Sequence, residues 1–257
     1  MSLSAEQLDH YDQVEQSYDR LRRLRSMTSA ELRRLLGGDP RKAALWVRTA
    51  AEHGISFGQL RWGGMLLEGQ GVDADPALAL HWFTQAAWAG NGEAMNMVGR
   101  CYENGWGTAT DLGRAAQWYR RSAEAGDDWG QYNFANVLFD GMGIPCDRHQ
   151  ALRWYRRAAD RGHSRAMNLL GRCFEEGWGC QADLAQAEQW YQRSAEAGYF
   201  RGQFNHACLL LEHRQIAAAA HWFLQAAGSE DQPIRQEIRR RLLSTREPLL
   251  TAIVELL

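Results

Sequence analysis

The apolar positions of this chain recur with two rhythms, one inside the other. Over 93–104, EAMNMVGRCYEN, Ala94, Val98 and Tyr102 follow at intervals of four with Gly99 beside them. That is the spacing of one helix face, not the alternation of a strand. Over 112–126, LGRAAQWYRRSAEAG, the residues Ala115, Ala116, Trp118, Tyr119 and Ala123 form a wide apolar stripe. Tryptophan sets the longer rhythm: Trp46, Trp82, Trp118, Trp154 and Trp190 stand 36 residues apart, and Trp222 follows after 32. The period defines full repeats at 55–90, 91–126, 127–162 and 163–198, a shortened fifth at 199–230 and a degenerate unit at 28–54. Each full repeat reads as helix A, loop, helix B.

Punctuation agrees with the pattern. Asp75, Asp111, Asp147 and Asp183 precede helix B at one repeat position, where a carboxylate accepts from the open amides of the first turn for about 1 kcal/mol. Gln150 and Gln186, three residues on, suit a capping box. Gly54, Gly90, Gly126, Gly162 and Gly198 end each helix B. The pairs Gly63/Ala79, Gly99/Ala115, Ala135/Ala151 and Gly171/Ala187 place small residues where two helices meet, and the tryptophans are expected to fill the core between pairs.

The loop between the helices poses a separate question. RCYENGWGTATD (100–111) and RCFEEGWGCQAD (172–183) each hold a glycine pair around tryptophan. A phosphate cradle needs a strand before the glycines and a helix directly after them. Here a helix precedes them and the next waits for Asp111, so the glycines are expected to end helix A in left-handed conformation and turn the chain. Trp106 and Trp178 are not required by that turn. Either they pack over the next repeat's loop or they form an aromatic rim for a partner.

The ends carry helices of their own. Residues 1–27 predict an N-terminal capping helix, opened by Ser4 and Gln7, with Leu8, Tyr11, Val14, Tyr18 and Leu21 on one face. A Thr28/Glu31 box starts the next helix. Residues 231–257 predict two capping helices, about 233–243 and 247–257, the second after a Ser244/Glu247 box. The apolar run PLLTAIVELL is read as a plug on the end of the stack, with docking on another chain as the alternative.

Composition narrows the function classes. The 257 residues carry a net charge of −2, so no global field draws nucleic acid. No segment approaches the ~20 apolar residues of a membrane span, and the first 25 are polar. The five cysteines form no metal-ligand spacing, which suits a reduced cytoplasm. The eight histidines are scattered. His81 and His221 share a repeat position facing solvent, and His206 takes an apolar position as a buried or packing variant. No spacing favours a nucleophile and base pair.

The chain resembles the Sel-1-like repeat family, relatives of the tetratricopeptide repeats. GQYNFANVLFDGMGIPCDRHQALRWYRRAADRG (130–162) and its companions carry the resemblance: a small residue, an aromatic, G-x-G, then D-x-x-x-A-x-x-W-Y and A-A-x-x-G. It covers about 55–230. The fold class it implies is all-α, a right-handed α-α superhelix (solenoid) of helix pairs with helical caps. It also implies that helix A lines the concave side.

On helix A, positions i, i+4 and i+7 share a face. In even repeats these are Asn96, Arg100, Glu103 and Asn168, Arg172, Glu175. In odd repeats they are Leu60, Gly64, Leu67; Tyr132, Asn136, Phe139; and Phe204, Cys208, Leu211. Polar and apolar-rich rungs alternate, and odd helices share Gly-Gln, so the sequence unit spans two repeats. The expected site is a protein-binding groove with Tyr132, Phe139 and Phe204 as anchors. Asn96, Arg100, Glu103, Asn136, Asn168, Arg172 and Glu175 orient the ligand, with Trp106 and Trp178 as a possible rim. The plain reading of the same residues is ordinary helix surface and packing.

The function so expected is a non-catalytic, bacterial, cytoplasmic scaffold or adaptor for a protein or peptide partner, with no catalytic residue, cofactor, metal, nucleic acid or membrane insertion. One alternative is an accessory protein of the cell envelope. Another is β-lactam binding or hydrolysis, which the resemblance attaches to cysteine-rich members with a cysteine pair in every repeat. This chain lacks such pairs in most repeats.

Overall fold

The computed structural model describes residues 5–229, 231–245 and 247–254. Among them every regular element is an α-helix. The chain divides into two compact units, Met1–Gly130 and Gln131–Leu257.

The first unit holds α1 (Ala5–Ser26), α2 (Ser29–Leu36), α3 (Pro40–Glu52), α4 (Ser56–Glu68), α5 (Pro76–Trp88), α6 (Gly92–Asn104) and α7 (Leu112–Glu124), and the start of α8 (Asp128–Asp140). Its core runs along the stack from Ala43, Val47 and Ala51 through Trp62, Met65 and Phe83 to Val98 and Cys101. Neighbours in sequence pack as neighbours in space: α3 on α4, α4 on α5, α5 on α6, α6 on α7, with α1 laid on α3.

The second unit holds the rest of α8, then α9 (Arg148–Asp160), α10 (Ser164–Glu176), α11 (Leu184–Glu196), α12 (Phe200–Glu212), α13 (Ile216–Ala227), α14 (Gln232–Ser244) and α15 (Pro248–Val254). Here α9 packs on α10, α10 on α11, α11 on α12 and α12 on α13. At its end Leu250, Ile253 and Val254 are buried with Ile238, Leu242 and Phe223, so α15 covers apolar surface of α13 and α14.

The caps form as the residues dictate. Asp75, Asp111, Asp147 and Asp183 each accept from the amide three residues on, at 2.8–3.0 Å. Thr28 and Glu31 close their reciprocal box. Ser244 departs from expectation. It is the last residue of α14 and its hydroxyl donates back to Arg241 O, so α15 instead opens at Pro248 with the Glu247 carbonyl accepting from Leu250 and Thr251. Ser4 lies outside the described residues, as do the side chains of Leu8, Tyr11 and Val14.

The tryptophans also differ from expectation. The fully buried aromatic of each helix B is the next residue along: Phe83, Tyr119, Tyr155, Tyr191 and Phe223. Tyr191 lies so close to α10 that a Cβ on Gly171 would stand 2.7 Å from its ring. That close approach, rather than the facing alanine, is why helix A carries glycine there. Trp118 and Trp154 are half-buried and Trp190 is buried, 8% exposed, each beneath a guanidinium: Arg121 over Trp118, Arg157 over Trp154 and Arg193 over Trp190 at 4.2–4.8 Å.

The glycine loop is a packing device. Gly105 caps α6 at φ 73°, its amide and that of Trp106 donate to Cys101 O, and the Asp111 amide donates to Tyr102 O, so these three amides are engaged within the turn. Gly107, also at positive φ, passes so near the start of the preceding α5 that a Cβ would meet Pro76 O at 2.1 Å. Any side chain would push the two backbones apart.

The two-repeat alternation has a physical cause as well. Gly130 leaves no room for a Cβ against Ser122 Oγ (2.0 Å), and Gly202 none against Ser194 Oγ (2.2 Å). Those serines are fully buried and donate to Gly92 O and Ser164 O. Gln203, beside Gly202, reaches back to Ala195 O.

Candidate functional site

The even rungs build the same local arrangement in each unit. In the first, Asn96 is buried, the Arg100 guanidinium lies 5.0 Å over the Trp106 ring, and Tyr119 donates its hydroxyl to Glu103 Oε2 at 2.6 Å. In the second, Asn168 is buried, Arg172 lies 5.0 Å over Trp178, and Tyr191 donates to Glu175 Oε2 at 2.6 Å. Burial first, then the bond to the carboxylate, pushes both phenols far above their ordinary range. Glu103 and Glu175 are therefore engaged within their own helix pairs. Asn136 acts likewise, its Oδ1 accepting from Tyr155 at 2.7 Å.

Trp106 and Trp178 are half-buried. Trp178 meets Phe139 edge-on at 5.3 Å, while Arg148 covers Phe139 at 4.9 Å. Phe139 is thus flanked by neighbours and half-buried.

Four of the expected residues converge. Tyr132, Asn168, Arg172 and Phe204 line one cavity of about 280 Å³ in the second unit. Tyr132 stacks on the buried His163 ring at 4.7 Å, and Phe204 sits edge-on to Phe223 at 5.9 Å, so both aromatic walls are braced from behind. Asn205 donates to Asn168 Oδ1 at 2.8 Å, joining α12 to α10 across the floor.

Other lining residues were missed in the sequence: Arg165, Leu169, Tyr199, Arg201, Asn205 and Ile234. A signal existed. Arg165 and Arg201 are 36 residues apart, as are Leu169 and Asn205, so two consecutive helices A contribute the same positions. Arg165 lies over Tyr199 at 5.9 Å and Arg201 over Phe200 at 5.7 Å. The lining holds three guanidinium groups and no carboxylate. Burial raises the Tyr199 phenol, so it stays a neutral hydrogen-bonding group.

Nucleophilic chemistry is not assembled around these residues. Burial pushes the thiols of Cys101, Cys173 and Cys208 up to about 12. His206 is buried against Trp222, and desolvation lowers its pKa. Among the described residues no His/Cys/Asp/Glu group is arranged to hold a metal, and no helix is long and apolar enough to cross a membrane.

Helix pairs of constant length, each packed on the next, with glycine-turned loops and a side-chain surface on helix A, define the class: an all-α helical-repeat solenoid. The chain belongs to the Sel1 repeat family, whose model matches residues 34–55, 56–91, 92–127, 130–163, 164–199 and 214–230.

Among solved structures it is similar to a protective antigen present in uropathogenic Escherichia coli strains that displays an SLR fold. The two share 30% identity at a TM-score of 0.68, over 81% of this chain and 46% of that one, so this chain spans about half the antigen's length. It is similar to a Sel1 repeat protein from Oxalobacter formigenes, at 28% identity and a TM-score of 0.67 over 75% and 79% of the two chains. An immunity protein of Pseudomonas aeruginosa shares the fold, at 16% identity and a TM-score of 0.50 over 77% and 75%. No curated protein matches. Sel1-repeat proteins generally mediate protein–protein interactions.

Proposed function

We propose that this protein is a non-catalytic scaffold or adaptor of the cytoplasm that binds a protein partner along the helix-A side of its repeats. The observation that carries the reading is the cavity of the second unit. Tyr132 and Phe204 are held rigid by rings behind them, and an Arg–Asn set lies between them. Pre-braced aromatic and arginine side chains lose little entropy on binding and are the residues that dominate protein interfaces. In the first unit Asn96, Arg100 and the half-buried Trp106 offer a smaller surface of the same make-up. Glu103, Asn136, Phe139 and Glu175 support the framework from within their helix pairs.

The test is affinity purification of the full chain from the cells that express it, with bound proteins identified by mass spectrometry. Tyr132→Ala and Phe204→Ala should each lower recovery of a specific partner at least about tenfold while the circular dichroism spectrum stays helical. Equal recovery by wild type and both folded variants would overturn the reading.

A further inference from the structure

The same cavity has a chemical bias that a generic interaction surface lacks, and the inference drawn from it rests on the scaffold reading above. We propose that it is a receptor for acidic side chains of an extended peptide segment, with Arg172 and Arg201 taking carboxylates and the Asn168–Asn205 pair taking the peptide backbone.

Charge is the first argument. Some arginines pair with acids, as Arg114 with Asp111 and Arg241 with Glu212, and others lie singly over a ring, as Arg157 over Trp154. Three guanidinium groups gather at this cavity, whose lining holds no carboxylate. Asp231, the nearby acid that acts on Tyr199, is already engaged as the N-cap of α14, accepting from Ile234 N at 3.0 Å. Arg172 and Arg201 form no ion pair among the described residues and lie instead over the rings of Trp178 and Phe200. Stacking occupies the faces of a guanidinium and leaves its N–H edge, which matches a carboxylate in two parallel hydrogen bonds.

The asparagines decide between a peptide and a bare anion. Asn168 is only 4% exposed, and its Oδ1 is taken by Asn205 Nδ2. That bond leaves a donor on Asn168 and an acceptor on Asn205 for other partners. An inorganic anion uses donors alone, whereas a peptide unit offers one N–H and one C=O and uses both. Size agrees. About 280 Å³ is the share of roughly nine liquid waters, room for one or two side chains rather than a docked helix. Tyr132 and Phe204 then pack on the aliphatic stems of the acidic residues.

The probe is a fluorescein-labelled, N-acetylated, C-amidated octaglutamate, followed by fluorescence anisotropy with the full chain. Its octaglutamine counterpart should bind at least about tenfold more weakly. Arg172→Gln and Arg201→Gln should each weaken octaglutamate about tenfold, the loss expected for one charge-assisted contact. Arg157→Gln, which removes a guanidinium lying over Trp154 outside the cavity lining, should change nothing.

Equal binding of the two peptides, or unchanged affinity in both cavity variants, overturns the proposal. So does tighter binding of a phosphoserine octapeptide, or displacement of octaglutamate by millimolar inorganic phosphate, since either would make phosphate the ligand. The partner purification separates the two readings. Loss of the partner in Tyr132→Ala but not in Arg172→Gln or Arg201→Gln would sink the carboxylate receptor and leave the scaffold standing. Retention in all three would sink both.

Discussion

Tyr191 donates its hydroxyl to Glu175 at 2.6 Å, and the pair is reproduced in the other unit by Tyr119 and Glu103 at the same distance. Sixteen residues separate the partners each time, so the bond ties the last turn of helix A to the middle of its own helix B. A glutamate on what looks like a binding face is thereby engaged in holding the pair together.

Glu175→Ala should therefore cost about 1–3 kcal/mol, the penalty of leaving a buried phenol without an acceptor. Glu175→Gln should cost much less, because its amide oxygen still accepts. Urea denaturation midpoints of the two variants check this. Equal losses would show that the hydroxyl finds another partner.

The buried thiols make stability fall on the alkaline side. Cys101, Cys173 and Cys208 ionise near 9.0 when unperturbed and only at about 12 in the folded chain. Above pH 9 the unfolded state has lost protons that the folded state keeps, so the derivative of stability with pH is negative. The contribution is complete below pH 9 and is lost as pH rises toward 12. The denaturation midpoint should fall steadily from about pH 9 to about pH 11. The triple Cys→Ala variant should start less stable but show a shallower slope up to about pH 10. An identical slope in both would count against the burial account.

Glycines of two kinds should respond oppositely to alanine. Gly64 lies inside α4 with nothing within 4 Å of an added Cβ, so Gly64→Ala should stabilise by about 0.5–1 kcal/mol. Gly107 combines φ 71° with a Cβ position 2.1 Å from Pro76 O, so Gly107→Ala should cost more than the ~1 kcal/mol of a left-handed alanine alone. Thermal melts of the two variants should move in opposite directions.

Much of this architecture is legible in the sequence because it repeats. Aspartate caps, loop glycines and alanine stripes recur at one spacing, and each recurrence multiplies a weak local signal. The seat of the core aromatic lies one residue beyond where the sequence pattern puts it. Tryptophan is the more conspicuous side chain, but Tyr119 and Tyr191 are the ones that bury fully, because Glu103 and Glu175 receive their hydroxyls.

The cavity is half legible. Tyr132, Asn168, Arg172 and Phe204 follow from helix geometry within a repeat. Arg165 and Arg201 stand near the starts of α10 and α12, where arginine reads as solvated surface. Only packing brings Tyr199 and Ile234, from a repeat junction and a helix beyond the repeats, to wall them in.

The serine–glycine seams also say how such a chain lengthens. Ser122 against Gly130 and Ser194 against Gly202 are joints without slack, and they come at every second boundary. A copying event that duplicates 91–126 alone would set the Ser122 hydroxyl against the Ala94 methyl. One spanning two repeats, 72 residues, would splice like to like. For the serine-bearing repeats, the unit that copies without a clash is thus twice the visible period.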